Sequence, residues 1–548
     1  MFEQDRRVKL LTLGATCFGL FMVMLDGTVV NLALPTIQRN LGSGFSGLQW
    51  IIDAFTLVIA SFMLTGGTLG DLYGRKRAFM AGVGVFTAGS LFCALAPSLG
   101  VLIAARAVQG LGAAVMLPSS LSIINNTFRD ARERAQAIGI WAGISGTAMA
   151  LGPVVGGVMV DSLGWQSIFY LNVPIGIIAL VLTARVVRES KNPEGRGLDI
   201  PGQVLAIVGL GSLTFAFIES STYGWGSVPI ISLFAVAVLT LTAFTVVELR
   251  TLSPMLDLTF FRNRTFFGAN IVGLLVSFGF FGILFFLALF MQNVLGYTAA
   301  QAGVRQLPTT LATMVSAILA GRIVGRIGAR APITIGMVLL GAAVLLFATV
   351  KATSTFSSFW WMLIIMGIGN GLVMSPTTTA IMSIVPPARA GMAAATLNTT
   401  RQVGSVFGIA VLGSIVTGRF TSELTKAVRA LNLSPLVSQK VIAIAHQGQE
   451  SVSLPSGNGI DTHAIARAIG ESFTSGLHLG LWICGALVLS GAAVSFFTVH
   501  GTSPQAQIIR RTDVAGGVQT ASVEAAEHVP ASSTTAPRPE TVPAAISE

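Results

Sequence analysis

The chain has 548 residues, of which 53% are hydrophobic and only 10% charged, with a mean hydropathy of +0.76. A soluble domain carries about 25% charged residues, so this balance excludes a soluble enzyme and indicates a polytopic membrane protein. The net charge of +10 sits in short loops between apolar runs rather than on one face of a soluble domain, which speaks against nucleic-acid binding.

In chain order, fourteen spans are expected, near residues 10–34, 48–70, 78–96, 101–125, 135–160, 166–187, 200–219, 228–249, 265–291, 300–321, 332–350, 358–382, 397–418 and 475–499. An even count places both termini on one side. That side carries Arg6, Arg7 and Lys9, Arg75-Lys76-Arg77, Arg129/Arg132/Arg134, Arg185/Arg188/Lys191/Arg196, Arg250/Arg262/Arg264, Arg322/Arg326/Arg330 and Arg389. The opposite loops hold Arg39, Lys351 and a few basic residues of segment 419–474. The positive-inside rule therefore gives a multi-pass protein of the cytoplasmic membrane with both termini cytoplasmic. The first apolar run is too long for a cleavable signal. Segment 419–474 is expected as an external loop with amphipathic helix near Ser422–Ala430 and His463–Ile469. The stretch 501–548, rich in Ala, Ser, Thr and Pro, is expected as a disordered cytoplasmic tail. Cys17, Cys93 and Cys484 lie inside apolar runs and read as packing residues, with no metal or disulfide pattern.

A turn after the second span, GTLGDLYGRK (67–76), echoes GRIVGRIGAR (321–330) after the tenth. Six-helix repeats would place the copies six spans apart, and they are eight apart. Two extra helices therefore lie between the halves. The expected division is a bundle over 1–190, two linker helices over 191–264 and a second bundle over 265–500.

Polar residues inside the spans carry the functional signal. Asp26, in VMLDGTVVNLALP (23–35), costs about 2.5–3.5 kcal/mol near mid-bilayer on insertion scales. Asp53 is the other carboxylate inside an early span, and Arg106 of the fourth span needs an acidic or polar partner, so Asp26 with Arg106 is the natural pair. Gly70 and Gly74 are expected to turn the chain before Arg75, with Asp71 one helical turn away. That turn reads either as a basic anchor or as a conformational latch. The fifth span, GIWAGISGTAMALGPVVGGVMV (139–160), holds six glycines and Pro153, more than ordinary packing requires, and suggests a moving interface. Glu219, at the outer end of the seventh span, reads as solvated. Cavity candidates are Asn31, Gln109, Asn270, Asn370, Asn398, Arg401 and Gln402. Arg401 is left open between an acidic substrate, a helix C-terminus and snorkelling. The run FGFFGILFFLALF (278–290) reads as lipid-facing. No nucleotide-binding loop or metal-spaced His/Cys set occurs, so no enzyme and no self-contained ATP-driven pump is expected, and no cofactor.

Taken together, these motifs resemble the fourteen-helix drug:proton antiporter family of the major facilitator superfamily. Gly67, Leu69, Asp71, Gly74, Arg75 and Lys76 match its loop signature, and Arg106, Gln109, Gly110 and Gly112 its fourth-helix motif. Gly152, Pro153, Gly156 and Gly157 match its antiporter motif. Leu25, Asp26, Thr28, Asn31 and Pro35, WQSIFYLNVPIG (165–176) and NTTRQVGSVFG (398–408) resemble signatures of the fourteen-helix branch. The resemblance covers roughly residues 8–418 and 475–499. Phe55 departs from the family tyrosine, and Gly325 stands opposite Asp71 in the second turn. The resemblance implies an all-α fold of two six-helix halves plus two inserted helices, acting as a monomeric transport unit in the lipid bilayer. It implies alternating access, with a small-molecule substrate moved outward against protons, driven by the proton gradient. On that reading Asp26 is the first proton-coupling candidate, Asp53 the second, and Arg106 the partner. A dedicated exporter of one metabolite, antibiotic or lipid is the alternative, and a non-transporting receptor or scaffold a third.

Overall fold

A computed structural model describes residues 2–191, 197–251, 254–385, 389–431, 435–446 and 462–500. Backbone amides and carbonyls in lipid must bond within their own segment, so each apolar run becomes a helix. The first half comprises α1 (Phe2–Leu41), α2 (Phe45–Tyr73), α3 (Arg75–Ala94), α4 (Leu99–Thr127), α5 (Ala131–Leu163) and a sixth span broken at Leu171 into α6 (Ser167–Tyr170) and α7 (Asn172–Val186). Next come α8 (Ile200–Tyr223) and α9 (Val228–Arg250). The second half comprises α10 (Arg264–Leu289), α11 (Ala299–Ile327), α12 (Arg330–Phe347), α13 (Phe356–Met382), α14 (Ala390–Ala430) and α16 (Thr462–Thr498), with α15 (Pro435–His446) before the last. Among the described residues, fourteen helices are long and apolar enough to cross a membrane, α6 and α7 counting as one.

The two halves repeat one packing scheme. In the first, α4 lies against α2 and α3, α1 against α5 and α7, and α3 against α7; in the second, α13 lies against α11 and α12, α10 against α14 and α16, and α12 against α16. The seams between halves obey the same exchange, α5 on α11 and α14 on α2. The echoed turns fall at equivalent places, after α2 and after α11. Each ends on a glycine with positive φ, Gly74 at +115° and Gly328 at +80°, backbone that side-chain-bearing residues seldom adopt.

Three expectations change. Gly70 is helical, so Gly74 alone makes the first turn. The segments 422–430 and 463–469 are not separate helices but the ends of α14 and α16, which run well past the apolar stretch; the rest of 419–474 is described only at α15 and the adjoining helix ends, and 501–548, like Arg196, lies outside the described residues. The phenylalanine-rich run does not face lipid. Its residues on α10 are almost all buried, because α10 is held between α13, α14 and α16, and apolarity alone does not separate lipid from protein neighbours.

Candidate functional site

Glycines bring the central helices close enough to bury charge. A Cβ on Gly110 would lie 2.5 Å from the Phe55 carbonyl oxygen of α2, and one on Gly89 would lie 2.8 Å from the Gln109 backbone nitrogen. This carries Arg106 and Gln109 of α4 into the interior of the first half. There the Arg106 Nη1 donates to Asp26 Oδ2 of α1 at 2.5 Å, both side chains being 1% exposed. Asp26 Oδ1 accepts from Gln109 Nε2 at 2.9 Å and from Asn172 Nδ2 of α7 at 2.9 Å. Gln109 also donates to Ser90 Oγ of α3 and accepts from Arg106 at 2.6 Å, while Arg106 Nε donates to the Ile51 carbonyl of α2 at 3.0 Å. The Phe55 ring lies under the guanidinium at 4.1 Å, a cation–π contact that phenylalanine supplies as tyrosine would. Five helices therefore meet on one ion pair, with three donors on the carboxylate.

Asp53 of α2 contrasts with this. It is fully buried and neither carboxylate oxygen has a hydrogen-bond partner among the described residues. It lies one turn along the helix from Gln49, whose amide donates to the Ile409 carbonyl of α14 at 2.8 Å.

The halves are joined at the end opposite the basic loops. Besides the Gln49 bond, Gln292 Nε2 donates to the Leu32 carbonyl at 3.0 Å and Asn293 Nδ2 to Gln38 Oε1 at 3.3 Å. Phe45 meets Phe420 edge-on and stacks on Phe473. At the other seam the Asp161 carboxylate accepts from the Ala299 and Ala300 amides at 3.1 and 2.9 Å. Thr298 and Gln301 close a capping box on the same helix start, so all four leading amides of α11 are satisfied, two of them by the other half. A Cβ on Gly157 would lie 2.7 Å from Ala300 Cα, and Gly303 sits against the Pro153 carbonyl. Towards the basic end α5 loses such neighbours: Gly146 reaches Met314 at 3.6 Å, and Gly139 and Gly143 face open space. The glycine motif thus serves two contacts, Gly152 and Gly156 on Thr28 and Val29 of α1, and Gly157 on α11.

The model of the Major Facilitator Superfamily matches residues 16–409. The chain belongs to the major facilitator superfamily. Similar members include the multidrug resistance protein Stp of Mycobacterium tuberculosis (strain CDC 1551 / Oshkosh), 42% identical over 76% of this chain and 78% of that protein. The methylenomycin A resistance protein of Streptomyces coelicolor (strain ATCC BAA-471 / A3(2) / M145) is 39% identical over 73% and 84%. The tetracenomycin C resistance and export protein of Streptomyces glaucescens is 33% identical over 89% and 91%. In fold, a bacterial homolog to the human lysosomal transporter Spinster, crystallised in an inward-facing and unoccupied conformation, matches with a TM-score of 0.63 at 17% identity, over 90% of this chain and 97% of that one. The protein is a multi-pass membrane transporter rather than an enzyme.

The superfamily's loop signature is built here with a residue the motif does not name. Asp71 pairs with Arg75 at 2.8 Å across the Gly74 turn. Glu189, after α7, accepts from the Lys76 and Arg77 amides at 3.0 and 3.2 Å, capping α3 where the helix dipole favours a carboxylate. Lys76 Nζ reaches the Ala184 carbonyl. A Cβ at Gly74 would lie 2.7 Å from the Glu189 carboxylate, so this glycine is needed for space as well as for φ, while Gly67 packs loosely on Pro118 at 3.5 Å.

The remaining candidates are scattered. Gln109 belongs to the ion-pair network. Asn31 donates to its own helix at Gly27, and Asn270 donates to Phe266 and accepts from Thr400. Asn370 is 1% exposed, and its Oδ1 has no hydrogen-bond partner among the described residues. Arg401 donates to the Met374 carbonyl and Thr377 Oγ1 at 2.7 Å each, tying α14 to α13 beside Pro376. Gln402 is half-buried and Asn398 exposed on α14. Glu219 is not merely solvated, since it accepts from Trp50 Nε1 at 3.0 Å. Asn172, Ser90, Asp161 and Glu189 were not singled out from sequence. Asn172 stands within the sixth-helix signature, which was its only signal; the other three are ordinary polar residues whose partners are distant in sequence.

Proposed function

We propose that the protein is a proton-coupled antiporter that exports amphiphilic or cationic compounds across the cytoplasmic membrane by alternating access, with both termini cytoplasmic, no cofactor and one chain as the transport unit. The observation that carries this reading is the one-ended seal: Asp161, Gln49 and Gln292 bond the halves at the end away from the basic loops, while Gly139 and Gly143 stand open at the basic end. With the basic loops cytoplasmic, this is the inward-facing state. The names of the similar proteins, multidrug resistance and antibiotic resistance and export, support drugs as the exported compounds.

The two buried carboxylates divide the coupling work. Asp26 has a guanidinium and two amides around it, which occupy both carboxylate oxygens. Among the described residues Asp53 has no donor, and an uncompensated charge in an apolar interior costs several kcal/mol, so Asp53 is the carboxylate assigned the exchangeable proton. The Asp26–Arg106 network ties α1, α2, α3, α4 and α7 into one body around it. A second reading, a dedicated exporter of one antibiotic, is favoured by relatives named for a single compound.

Purified protein in liposomes with an imposed pH gradient tests both. A fluorescent cation and a panel of single antibiotics should be driven uphill by the gradient, and transport that ran undiminished after a protonophore collapsed it would end the antiport reading. Asp53→Asn should keep downhill substrate exchange and lose gradient-driven accumulation; unchanged accumulation would move the proton elsewhere.

A further inference from the structure

Of the two inserted helices α8 touches both halves, and the chemistry of its two contacts differs. On the α2 side, α8 is bonded near both of its ends. Glu219 accepts from Trp50 Nε1 at 3.0 Å, with Trp50 also against the Phe215 ring. At the other end, Gln203 Nε2 donates to the Ser61 carbonyl at 2.9 Å and its Oε1 accepts from Thr65. On the α14 side, packing is extensive, yet among the described residues no hydrogen bond or ion pair joins α8 to α14; the ring contact is Phe217 against Phe407, centroids 6.2 Å apart. α9 packs on α8, and only 11% of its most apolar stretch is buried, so it forms the lipid-facing outer layer.

Polar bonds within a bilayer have fixed geometry and lose their partners when broken, whereas an apolar helix face exchanges protein for lipid tails at little cost. We infer that the α8–α9 hairpin is a sliding cover: it moves as part of the N-terminal half, bonded to α2, and glides over α14 while the halves rock, keeping the α2/α14 seam shut to lipid in both states. Among the described residues neither α8 nor α9 packs against α5 or α11, so the hairpin leaves the second seam uncovered, and that seam is the one through which an amphiphile in the membrane reaches the space between the halves. This assignment rests on the alternating-access reading above and adds to it which half carries the hairpin and which seam is sealed.

The test uses the full-length protein in nanodiscs, with Cys17, Cys93 and Cys484 replaced by alanine. Spin labels at positions 139 and 325, both glycines facing open space at the basic end, report the α5–α11 separation as pH is changed. One cysteine pair, Trp50→Cys with Phe215→Cys, locks α8 to α2; the other, Phe217→Cys with Phe407→Cys, locks α8 to α14. Each is measured before and after a short bifunctional cross-linker, the uncross-linked form controlling for the substitutions. The expected result is a full distance change with the first pair locked and its loss with the second. Arrest by the first pair with freedom in the second would assign the hairpin to the C-terminal half. Freedom in both would remove the sliding contact, and arrest by both would make the hairpin a third moving body; each overturns the proposal. A label pair that never moves, even without cross-links, would instead sink alternating access itself.

Discussion

Neutralising Asp26 should damage folding before it can be read as a transport defect, and the network says by how much. In Asp26→Asn the amide keeps one oxygen, enough for the Gln109 and Asn172 donors, and turns its NH2 towards the Arg106 guanidinium. The charge-assisted bond at 2.5 Å is lost, and Arg106 remains buried with the Ile51 carbonyl, the Gln109 oxygen and two ring faces for company. Removing one partner of a buried pair costs about 3–5 kcal/mol, and Arg106→Gln, which strands Asp26, should cost the same. The double variant removes both charges and leaves side chains able to hydrogen-bond one another, so its cost should be about 2 kcal/mol, that of the lost bonds. Simple addition would predict about 6–10 kcal/mol. A coupling energy of about 4 kcal/mol or more is therefore expected, above the top of the usual range for contacting residues. Reversible unfolding in mixed micelles, run on wild type, both singles and the double, measures it. Additive costs would refute the pair. The stable double variant then separates folding from mechanism: if it accumulated substrate on a pH gradient as wild type does, Asp26 would have no part in coupling.

Other predictions concern the seal and the signature turn. Asp161→Ala removes two cross-half bonds at an exposed helix start, a capping loss of about 1 kcal/mol, and should shift the population about fivefold towards opening at that end; spin-label distances between Leu163 and Val304 positions, both exposed, measure it, and an unchanged distribution would deny Asp161 a part in the seal. Gly157→Val places side-chain atoms where Ala299 and Ala300 now lie and should prop the seal open more strongly than Asp161→Ala; equal closure by the same distances would show that close approach is not required there. Gly74→Ala must adopt φ near +115° and crowd Glu189, costing about 1–3 kcal/mol in the same unfolding assay, and a change under about 0.5 kcal/mol, the ordinary surface effect, would contradict the crowded turn.

What could be read from the residues, and what could not, divides along a physical line. Span count, the grouping of basic loops and the insertion between the halves depend on hydropathy, charge and repeat spacing, which are local, and the contact scheme of α5 with α11 and α2 with α14 follows them. The meeting of Asp26 with Arg106 could be argued because few groups can satisfy a charge in an apolar interior. Asn172 could not be added, since a neutral amide creates no comparable demand and three turns of another span separate it from any charge. The FGFFGILFFLALF run was misplaced for the converse reason: lipid tails and protein interior solvate phenylalanine alike, and only neighbours distinguish them. Asp161 and Glu189 mark a further limit. Each caps a helix belonging to a distant stretch of chain, so its value appears only when an amide row with no other partner is brought to it, and in Asp161's case that happens only while the two halves are closed at that end. A residue whose role exists in one state of a moving protein leaves a signature of state rather than of sequence. The seal is therefore where variants should alter conformational balance with little effect on folding, while the Asp26 network is where they should alter folding first.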